Sequence, residues 1–253
     1  MPSLFSILKK KNTKNTDTVK RLFATIPILL ICLSGYCMPV SDTDTSSPVT
    51  GKLLFSDDFD NNIENWFSEM EIPDQSMVSI QDGKLDLVAK RGATVWFKKK
   101  IKGNYIITYD VVVVDSGGIC DRVSDLNVFW NASNPNGKFF TLDGKFPSYD
   151  LLHLYYAGIG GNENKTTRFR KYSGVAGDKA VIKEYLDSEH LIKGNYLYHI
   201  KIVFVDGRSQ LYVNDNLYFD YQDEAPYKNG YFGFRTTRSH MRYDNFRVYA
   251  VRK

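Results

Sequence analysis

Short apolar segments alternate with polar positions along most of the chain, and turn signals separate them. From residue 51 onward Tyr and Phe are frequent, and pairs such as Asp82-Gly83, Asp206-Gly207 and Asn229-Gly230 fall between apolar runs. We predict strands over 53–56, 77–81, 84–89, 94–101, 104–114, 123–131, 151–157, 167–172, 196–205, 208–213, 217–220, 231–237 and 243–251, and a short helix only within 178–192. About a dozen strands without helical alternation predict an all-β fold, a two-sheet antiparallel jelly-roll sandwich.

The first 50 residues have a different pattern. A basic flank precedes the apolar run "LFATIPILLICLSGYC", which is short for a membrane span and typical of a secretory signal. We expect residues 1–37 to be a signal peptide, with translation starting near Val19, or alternatively a retained membrane anchor. Residues 38–50 read as a polar linker and 51–253 as one domain. The protein is therefore expected to be exported to the periplasm or surface of a bacterium, with membrane attachment only through a lipidated Cys37.

The charge balance does not favour nucleic acid as a partner. The net charge is +4, but six of the 33 basic residues and three of the 29 acidic residues lie in residues 1–50. The remaining 27 basic and 26 acidic residues bring residues 51–253 close to neutrality, without the basic surface that nucleic-acid binding requires. Beyond the leader only Cys120 remains, so no disulfide is expected within the domain.

One predicted strand combines an apolar face with a polar face. In "DRVSDLNVFW" (121–130), Leu126, Val128 and Trp130 alternate onto one face, while Asp125 and Asn127 alternate onto the other. Three further strands have polar faces of the same kind, carrying His153 with Tyr155, Arg168 with Arg170, and Arg235 with Thr237. A solvated outer face is one explanation. The scarcity of Lys and Glu on these faces favours another, a groove that binds a polar ligand such as a sugar.

Several of these segments resemble a known superfamily. "LLFSDDFDNNIENW", "IQDGKLDLVA", "DRVSDLNVFW" and "GYFGFRTTRSHMRYDNFRVY" are similar to sequences of the concanavalin A-like lectin/glucanase superfamily, in particular to secreted domains from Bacteroidetes glycan-degradation loci. The resemblance covers nearly all of residues 51–253. It implies a concanavalin A-like jelly roll with a glycan groove in an exported protein. It leaves the reaction open, because the superfamily contains lectins, hydrolases and lyases.

The carboxylates do not suit a retaining glucanase. Such an enzyme needs two carboxyl groups about 5 Å apart. The nearest sequence, "EMEIPD" (69–74), is interrupted by Pro73. Jelly-roll polysaccharide lyases use different groups: an Arg, Asn or Gln neutralises a uronate carboxylate, and His or Tyr side chains move the protons.

The polar faces supply every role of a lyase. We expect His153 as the base, Tyr155 as the acid, and Arg168 and Arg235 as holders of the carboxylate. The residues expected to bind substrate are Arg122, Asp125, Asn127, Arg170, Arg238 and His240, the last being an alternative base. Structural roles are the competing explanation, with His153 hydrogen-bonded in the fold and Arg168 and Arg170 paired with Asp125 or Asp121.

The predicted function is therefore cleavage of an acidic, uronate-containing polysaccharide or oligosaccharide by β-elimination. A non-catalytic glycan-binding module is one alternative, and a glycosidase or eliminase acting on a modified disaccharide is another. No cofactor is required for this chemistry. A structural Ca²⁺ is a candidate near the chain ends, because Asp58 and Asp244 lie on terminal strands that often adjoin in a sandwich.

Overall fold

The computed structural model of the protein describes residues 49–252, and the strands account for most of that range. The strands in chain order are β1 (Val49–Asp57), β2 (Trp66–Met70), β3 (Met77–Gln81), β4 (Lys84–Val88), β5 (Gly92–Phe97), β6 (Ile101–Lys102), β7 (Tyr105–Val113), β8 (Leu126–Ser133), β9 (His153–Gly160), β10 (Thr166–Ser173), β11 (Lys179–Tyr185), β12 (Leu197–Val205), β13 (Arg208–Val213), β14 (Asn216–Gln222), β15 (Asn229–Thr237) and β16 (His240–Arg252). The remaining elements are the 3₁₀ turns Pro73–Gln75, Phe146–Leu151 and Ser188–His190 and the single helical turn Gly161–Asn164.

The expectations for the leader, Cys37 and most of the linker fall outside the described residues. The first strand begins at Val49, two residues before the start expected for the domain. None of the helical segments between residues 49 and 252 has the length and apolar character needed to cross a membrane.

The strands form two antiparallel sheets that pack face to face, which confirms the jelly-roll prediction. The back sheet has the order β14-β13-β12-β7-β16-β4-β3, with β1 paired to β16. The front sheet has the order β11-β10-β9-β8-β15-β5-β2, with β6 paired to β15. Hairpin turns fall where the Asp-Gly signals predict them. Asp206 and Gly207 have φ values of 46° and 87°, the left-handed conformation that a tight hairpin turn requires.

The core lies between the two sheets and is rich in aromatic side chains. Leu126, Val128 and Trp130 of β8 all point into it, as the alternation of that strand predicts. Trp130 stacks on Phe169 of β10 with ring centroids 5.5 Å apart and planes 2° apart. Phe234 of β15 also faces inward. The front-sheet strands β8, β10 and β15 therefore turn their polar side chains to the outer face.

Two elements differ from the sequence-based expectation. Residues 178–192, expected to hold a helix, contain strand β11 and a 3₁₀ turn. Strand β11 pairs only with β10 and lies at the edge of the sheet, where its Lys and Glu side chains face water. The sequence of this strand therefore lacks a clear alternation of apolar and polar residues. Strand β2 was not predicted, although Trp66 is buried in the core.

Candidate functional site: a basic cleft on the front sheet

The outer face of the front sheet carries two rows of side chains that run across the strands. Directly opposed positions place Thr94, Arg235, Asn127, Gly158 and Arg168 in one row. Trp96, Gly233, Phe129, Tyr156 and Arg170 form the next row. One half of this face is covered by protein, and the other half is open.

Residues 134–152, which we call the cap segment, cover the β5 and β15 half of the face. They form a second apolar cluster in which Phe140 and Tyr149 pack on Trp96 and Phe129. The buried carboxylate of Glu69 ties this cluster together, since it accepts hydrogen bonds from Trp96 Nε1 at 2.8 Å and from the Tyr149 hydroxyl at 2.9 Å. The cap segment is thus bound firmly to the sheet beneath it.

Beyond the cap segment the face forms a cleft of about 550 Å³. Its floor contains the Tyr156 hydroxyl and the side-chain amide oxygen of Asn127, which lie over Gly158. A Cβ atom at position 158 would lie 2.1 Å from the Tyr156 hydroxyl and 2.9 Å from Asn127 Oδ1, so glycine is needed to leave room for both. Asn127 Oδ1 is buried and has no hydrogen-bond partner among residues 49–252. A ligand hydroxyl or amide in the cleft would satisfy it.

The Tyr156 hydroxyl is protonated at neutral pH. Burial raises the pKa of this hydroxyl well above its ordinary value, and the nearby Asp125 carboxylate raises it further. The positive charges of Arg235, Arg170 and Arg168 lower the pKa, but by less than burial raises it. The phenol therefore stays protonated and can donate a hydrogen bond into the cleft.

The walls of the cleft are predominantly basic. The lining includes Arg122, Lys165, Arg168, Arg170 and Arg238 against Asp125 and Glu163. Arg122 forms an ion pair with Asp125, and Arg168 forms one with Glu184 on β11. In the described part of the chain, no carboxylate forms an ion pair with Arg170 or Arg238. Arg170 donates one long hydrogen bond, to the Lys179 carbonyl at 3.4 Å, and Arg238 is exposed. These two guanidinium groups are therefore free to bind an anion.

A strained turn forms one edge of the cleft. Asn162, Glu163 and Asn164 all adopt left-handed backbone conformations, with φ of 53°, 60° and 57°. Such conformations cost free energy in non-glycine residues and persist only where the surroundings hold them. Here the Ser124 hydroxyl donates to the Gly160 carbonyl at 2.8 Å, and Asn164 Oδ1 accepts from the Ile192 backbone N–H at 3.0 Å.

Six of the ten predicted catalytic and binding residues line this one cleft: Arg122, Asp125, Asn127, Arg168, Arg170 and Arg238. Sequence reasoning missed others, chiefly Tyr156, Gly158, Glu163 and Lys165. Tyr156 was missed because its neighbour Tyr155 was assigned to the outward face of the strand, which placed Tyr156 on the inward face. The Gly160-Gly161-Asn162 run was a visible signal for the turn.

His153 and Tyr155 lie outside the cleft, which corrects the face assigned to β9. Tyr155 is fully buried in the core, where its hydroxyl donates to Asp223 Oδ2 at 2.5 Å. His153 lies at the start of the strand and stacks on Tyr227, with ring centroids 4.7 Å apart. The outward positions of β9 are Leu154, which the cap segment covers, and Tyr156 and Gly158, which line the cleft. Neither predicted proton-transfer residue can reach a ligand held on the cleft floor.

Arg235 and His240 also lie away from the open cleft. Arg235 is fully buried beneath the cap segment. His240 lies between two carboxylates, with Nε2 at 2.8 Å from Asp86 Oδ1 and Nδ1 at 2.9 Å from Asp121 Oδ1. Its partner Asp121 immediately precedes Arg122, which lines the cleft.

The predicted calcium ligands do not form a metal site. Asp58 forms an ion pair with Arg247, and Asp244 forms one with Lys84. Between residues 49 and 252 no three His, Cys, Asp or Glu side chains are grouped closely enough to hold a metal ion. Basic side chains already neutralise both carboxylates, so these residues do not fit Ca²⁺.

Comparison with solved structures supports the fold. A Bacillus subtilis protein of unknown function with a galectin-like fold is similar with a TM-score of 0.67 and 16% identity, over 81% of this chain and 99% of that one. The endo-β-1,3-glucanase of Pyrococcus furiosus gives a TM-score of 0.57 and 13% identity over 80% and 95% of the two chains. The carbohydrate-binding module CBM66 of Bacillus subtilis gives 0.52 and 16% over 74% and 96%. These likenesses confirm the resemblance to lectin and glucanase folds.

Sequence comparison identifies the family. No curated protein matches the chain in sequence. The sequence model described as "Domain of unknown function (DUF6250)" matches residues 87–246, which are more than half of the chain and include every residue that lines the cleft. The protein therefore belongs to the DUF6250 family.

Proposed function

We propose that the cleft binds an acidic carbohydrate, with one carboxylate or sulfate group of the sugar chain against Arg170 and another against Arg238. The observation that carries this proposal is that one cleft contains two guanidinium groups without a carboxylate partner among the described residues, the Tyr156 hydroxyl and the unsatisfied side-chain oxygen of Asn127. The guanidinium groups would bind these anionic groups, and the two floor groups would bind sugar hydroxyls. The fold supports sugar as the ligand class, since similar folds occur in a carbohydrate-binding module and a glucanase. We further propose an exported location, from the secretory pattern of residues 1–37.

Removal of one cleft arginine should weaken binding selectively for acidic sugars. Arg170→Ala is expected to lower the affinity for uronate-containing oligosaccharides by at least about tenfold, the effect of losing one charge-assisted hydrogen bond. Isothermal titration calorimetry at two salt concentrations measures this. Wild-type affinity should fall as salt screens the contact, and the variant should respond less.

Arg208→Ala provides the matched control, because Arg208 lies on the back sheet and pairs with Asp220 in an exposed ion pair. It should bind like the wild type. Equal affinities of Arg170→Ala and the wild type for every acidic oligosaccharide that binds would disprove the proposed anion contact.

β-Elimination within the same cleft is a second candidate function, favoured by the protonated Tyr156 hydroxyl among arginines. The cleft guanidinium groups would neutralise the uronate carboxylate and make the adjacent C–H more acidic. Glu163, whose nearest cation is Lys165 at 3.8 Å, would accept that proton. As the C=C bond forms and the C–O bond breaks, the leaving oxygen would take the proton of Tyr156.

The elimination mechanism predicts opposite behaviour for two neighbouring tyrosines. If uronate polysaccharides give unsaturated products, measured as a rise in ultraviolet absorbance, Tyr156→Phe should lower that rate by about 10²- to 10⁴-fold. Tyr155→Phe should retain it in the folded fraction, because Tyr155 is buried in the core. Binding without new absorbance would leave a binding module, and loss of activity in Tyr155→Phe alone would favour the roles first predicted from the sequence.

A further inference from the structure

Arg235 is a buried cation whose hydrogen-bonding capacity is only partly used. Its side chain is 0% exposed. Nη1 donates to Thr94 Oγ1 at 2.9 Å and to the Gly144 carbonyl at 3.0 Å. Nε and Nη2 have no partner anywhere in the described range of residues. A buried guanidinium group normally pairs with an acid, since an uncompensated buried charge is costly.

Arg235 lies one strand away from the floor of the open cleft. It is directly opposite Asn127 in the pairing of β15 with β8, and adjacent strands in a sheet are about 4.8 Å apart. Both side chains project from the same face, because Phe234 and Val128, their neighbours along the two strands, point into the core. The row of polar positions thus continues without interruption from the open half into the covered half.

The side chain of Phe146 separates the two halves. It is half-buried and lines the cleft on one side. On the other side its ring centroid is 5.0 Å from the Arg235 guanidinium carbon. It also contacts Tyr156 and Tyr172, with ring centroids 5.3 Å and 6.4 Å away. The Tyr172 hydroxyl is a second buried polar group that has no partner within residues 49–252.

We propose that Arg235 is a further anion-binding subsite of the cleft, separated from it by Phe146, and that it takes the carboxylate or sulfate of another sugar unit. This inference rests on the proposed function. Rotation of the Phe146 side chain would uncover the guanidinium, whose free Nε and Nη2 lie on one edge and suit a bidentate contact. Nη2 lies beside Gly92 and close to the Glu71 carboxylate, since a Cβ atom at position 92 would lie 2.8 Å from Nη2 and 3.3 Å from Glu71 Oε2. The rest of the cap segment need not move, because Glu69 holds it independently of Arg235.

A purely structural role accounts less well for Arg235. Its Nη1 atom already makes the contact to Gly144 that a structural role requires. The Nε and Nη2 donors take no part in that contact, so a structural role does not use them. Tyr149, with its ring centroid 4.7 Å from the guanidinium, completes an aromatic enclosure in which an anion would be well shielded from water.

Inorganic sulfate is the probe for this subsite, and arginine side-chain Nε–H resonances in ¹⁵N NMR spectra are the readout. In the wild type, sulfate should shift the Arg170 resonance. The wild-type Arg235 resonance should shift only at higher sulfate concentration, when Phe146 has rotated away. In Phe146→Ala both resonances should shift, and the half-maximal sulfate concentration at Arg235 should fall by about tenfold relative to the wild type. Phe146→Leu should give an intermediate shift and tests the same idea with less loss of packing. Phe139→Ala is the matched control, because Phe139 belongs to the cap segment but is exposed and packs on Phe140 and Phe67.

The outcomes separate the two proposals. Shifts at both arginines in Phe146→Ala, with Phe139→Ala like the wild type, support the subsite. A shift at Arg170 but none at Arg235 in both Phe146 variants, with cooperative unfolding intact, overturns the subsite and leaves the proposed function standing. No shift at either arginine removes the anion-binding basis of both.

Discussion

Replacement of Asp223 with alanine is expected to lower the free energy of unfolding by about 3 kcal/mol, at the lower end of the range for breaking a buried ion pair because Lys171 is partly exposed. The Asp223 side chain is 3% exposed. It accepts hydrogen bonds from the Tyr155 hydroxyl at 2.5 Å, Lys171 Nζ at 2.8 Å and the Ala225 backbone N–H at 3.0 Å. The substitution would leave the buried Tyr155 hydroxyl without an acceptor, and it would remove the carboxylate partner of Lys171, whose remaining acceptor is the Ala225 carbonyl at 3.0 Å.

Chemical denaturation of matched variants measures this effect. Asp220→Ala is the control, because Asp220 pairs with Arg208 at the surface, where an ion pair contributes at most about 1 kcal/mol. Asp223→Asn, which keeps the shape and one acceptor, should lose less stability than Asp223→Ala. Equal losses in Asp223→Ala and Asp220→Ala would show that the buried network does not hold the β14–β15 connection.

The same carboxylate predicts a loss of stability in acid. Burial raises the pKa of Asp223, whereas the hydrogen bonds from Lys171, Tyr155 and Ala225 lower it. The hydrogen bonds outweigh burial, so the pKa lies below its ordinary value. A depressed folded-state pKa contributes stability that is present above the unfolded value of about 3.9 and is lost as the pH falls through the folded value. The wild type should therefore lose more stability than Asp223→Ala across that interval.

The fold was predictable because alternation is strong where one face of a strand meets the core. In β8 and β10 the inward residues, such as Trp130 and Phe169, are large and apolar, and the outward residues that line the cleft, such as Asn127 and Arg170, are polar. In β9 the inward face meets the core, and the cap segment covers the outward face at Leu154, so large apolar side chains lie on both faces and alternation does not distinguish them. Tyr155 is buried only because Asp223, 68 residues away, satisfies its hydroxyl. No local pattern reveals such a partner.

The candidate site was predictable only in part for a related reason. For residues in regular strands, such as Asn127 and Arg170, the alternation of side chains along the strand is enough to predict the face on which they lie. Arg238 and His240 lie together in the sequence, yet Arg238 lines the cleft and His240 contacts Asp86 of the back sheet. Arg238 has a left-handed conformation with φ of 51°, which reverses the direction of the chain between β15 and β16. Sequence alternation cannot be carried through a residue of that kind.

Removal of the imidazole of His240 should destabilise the fold and weaken ligand binding together. Both ring nitrogens face carboxylate oxygens, so both carry protons and the ring is an imidazolium ion. The Asp86 and Asp121 side chains are 3% and 7% exposed, and Arg242 also donates to Asp86. We expect His240→Ala to cost about 3 kcal/mol, since it leaves carboxylates buried without their main partner. His199→Ala is the control, because His199 pairs with Asp110 but is 64% exposed, and it should cost less than about 1 kcal/mol.

The effect should reach the cleft through the segment that carries Arg122. Asp121 Oδ2 accepts from the Ser116 and Gly118 backbone N–H groups at 3.0 Å, which fixes this segment beside His240. Without the His240 imidazole, the Asp121 carboxylate loses its side-chain contact with β16. Arg122 is then held only by its hydrogen bonds to the Thr237 carbonyl at 2.6 Å and the Arg238 carbonyl at 3.2 Å and by its ion pair with Asp125, so its position in the cleft becomes less fixed. His240→Ala should therefore weaken binding of an acidic oligosaccharide although His240 does not line the cleft.

The pH dependence distinguishes this coupling from general destabilisation. The hydrogen bond to Asp86 raises the pKa of His240, burial lowers it, and the contact with Asp121 raises it again, with a net upward shift. The stability that His240 contributes is therefore fully present below its unfolded value of about 6.5 and is lost as the pH rises through the higher folded value. Wild-type stability and affinity for the acidic ligand should decline together over that interval, whereas His240→Ala should show neither decline. An affinity that stays constant in the wild type while stability falls would refute the link between His240 and the cleft.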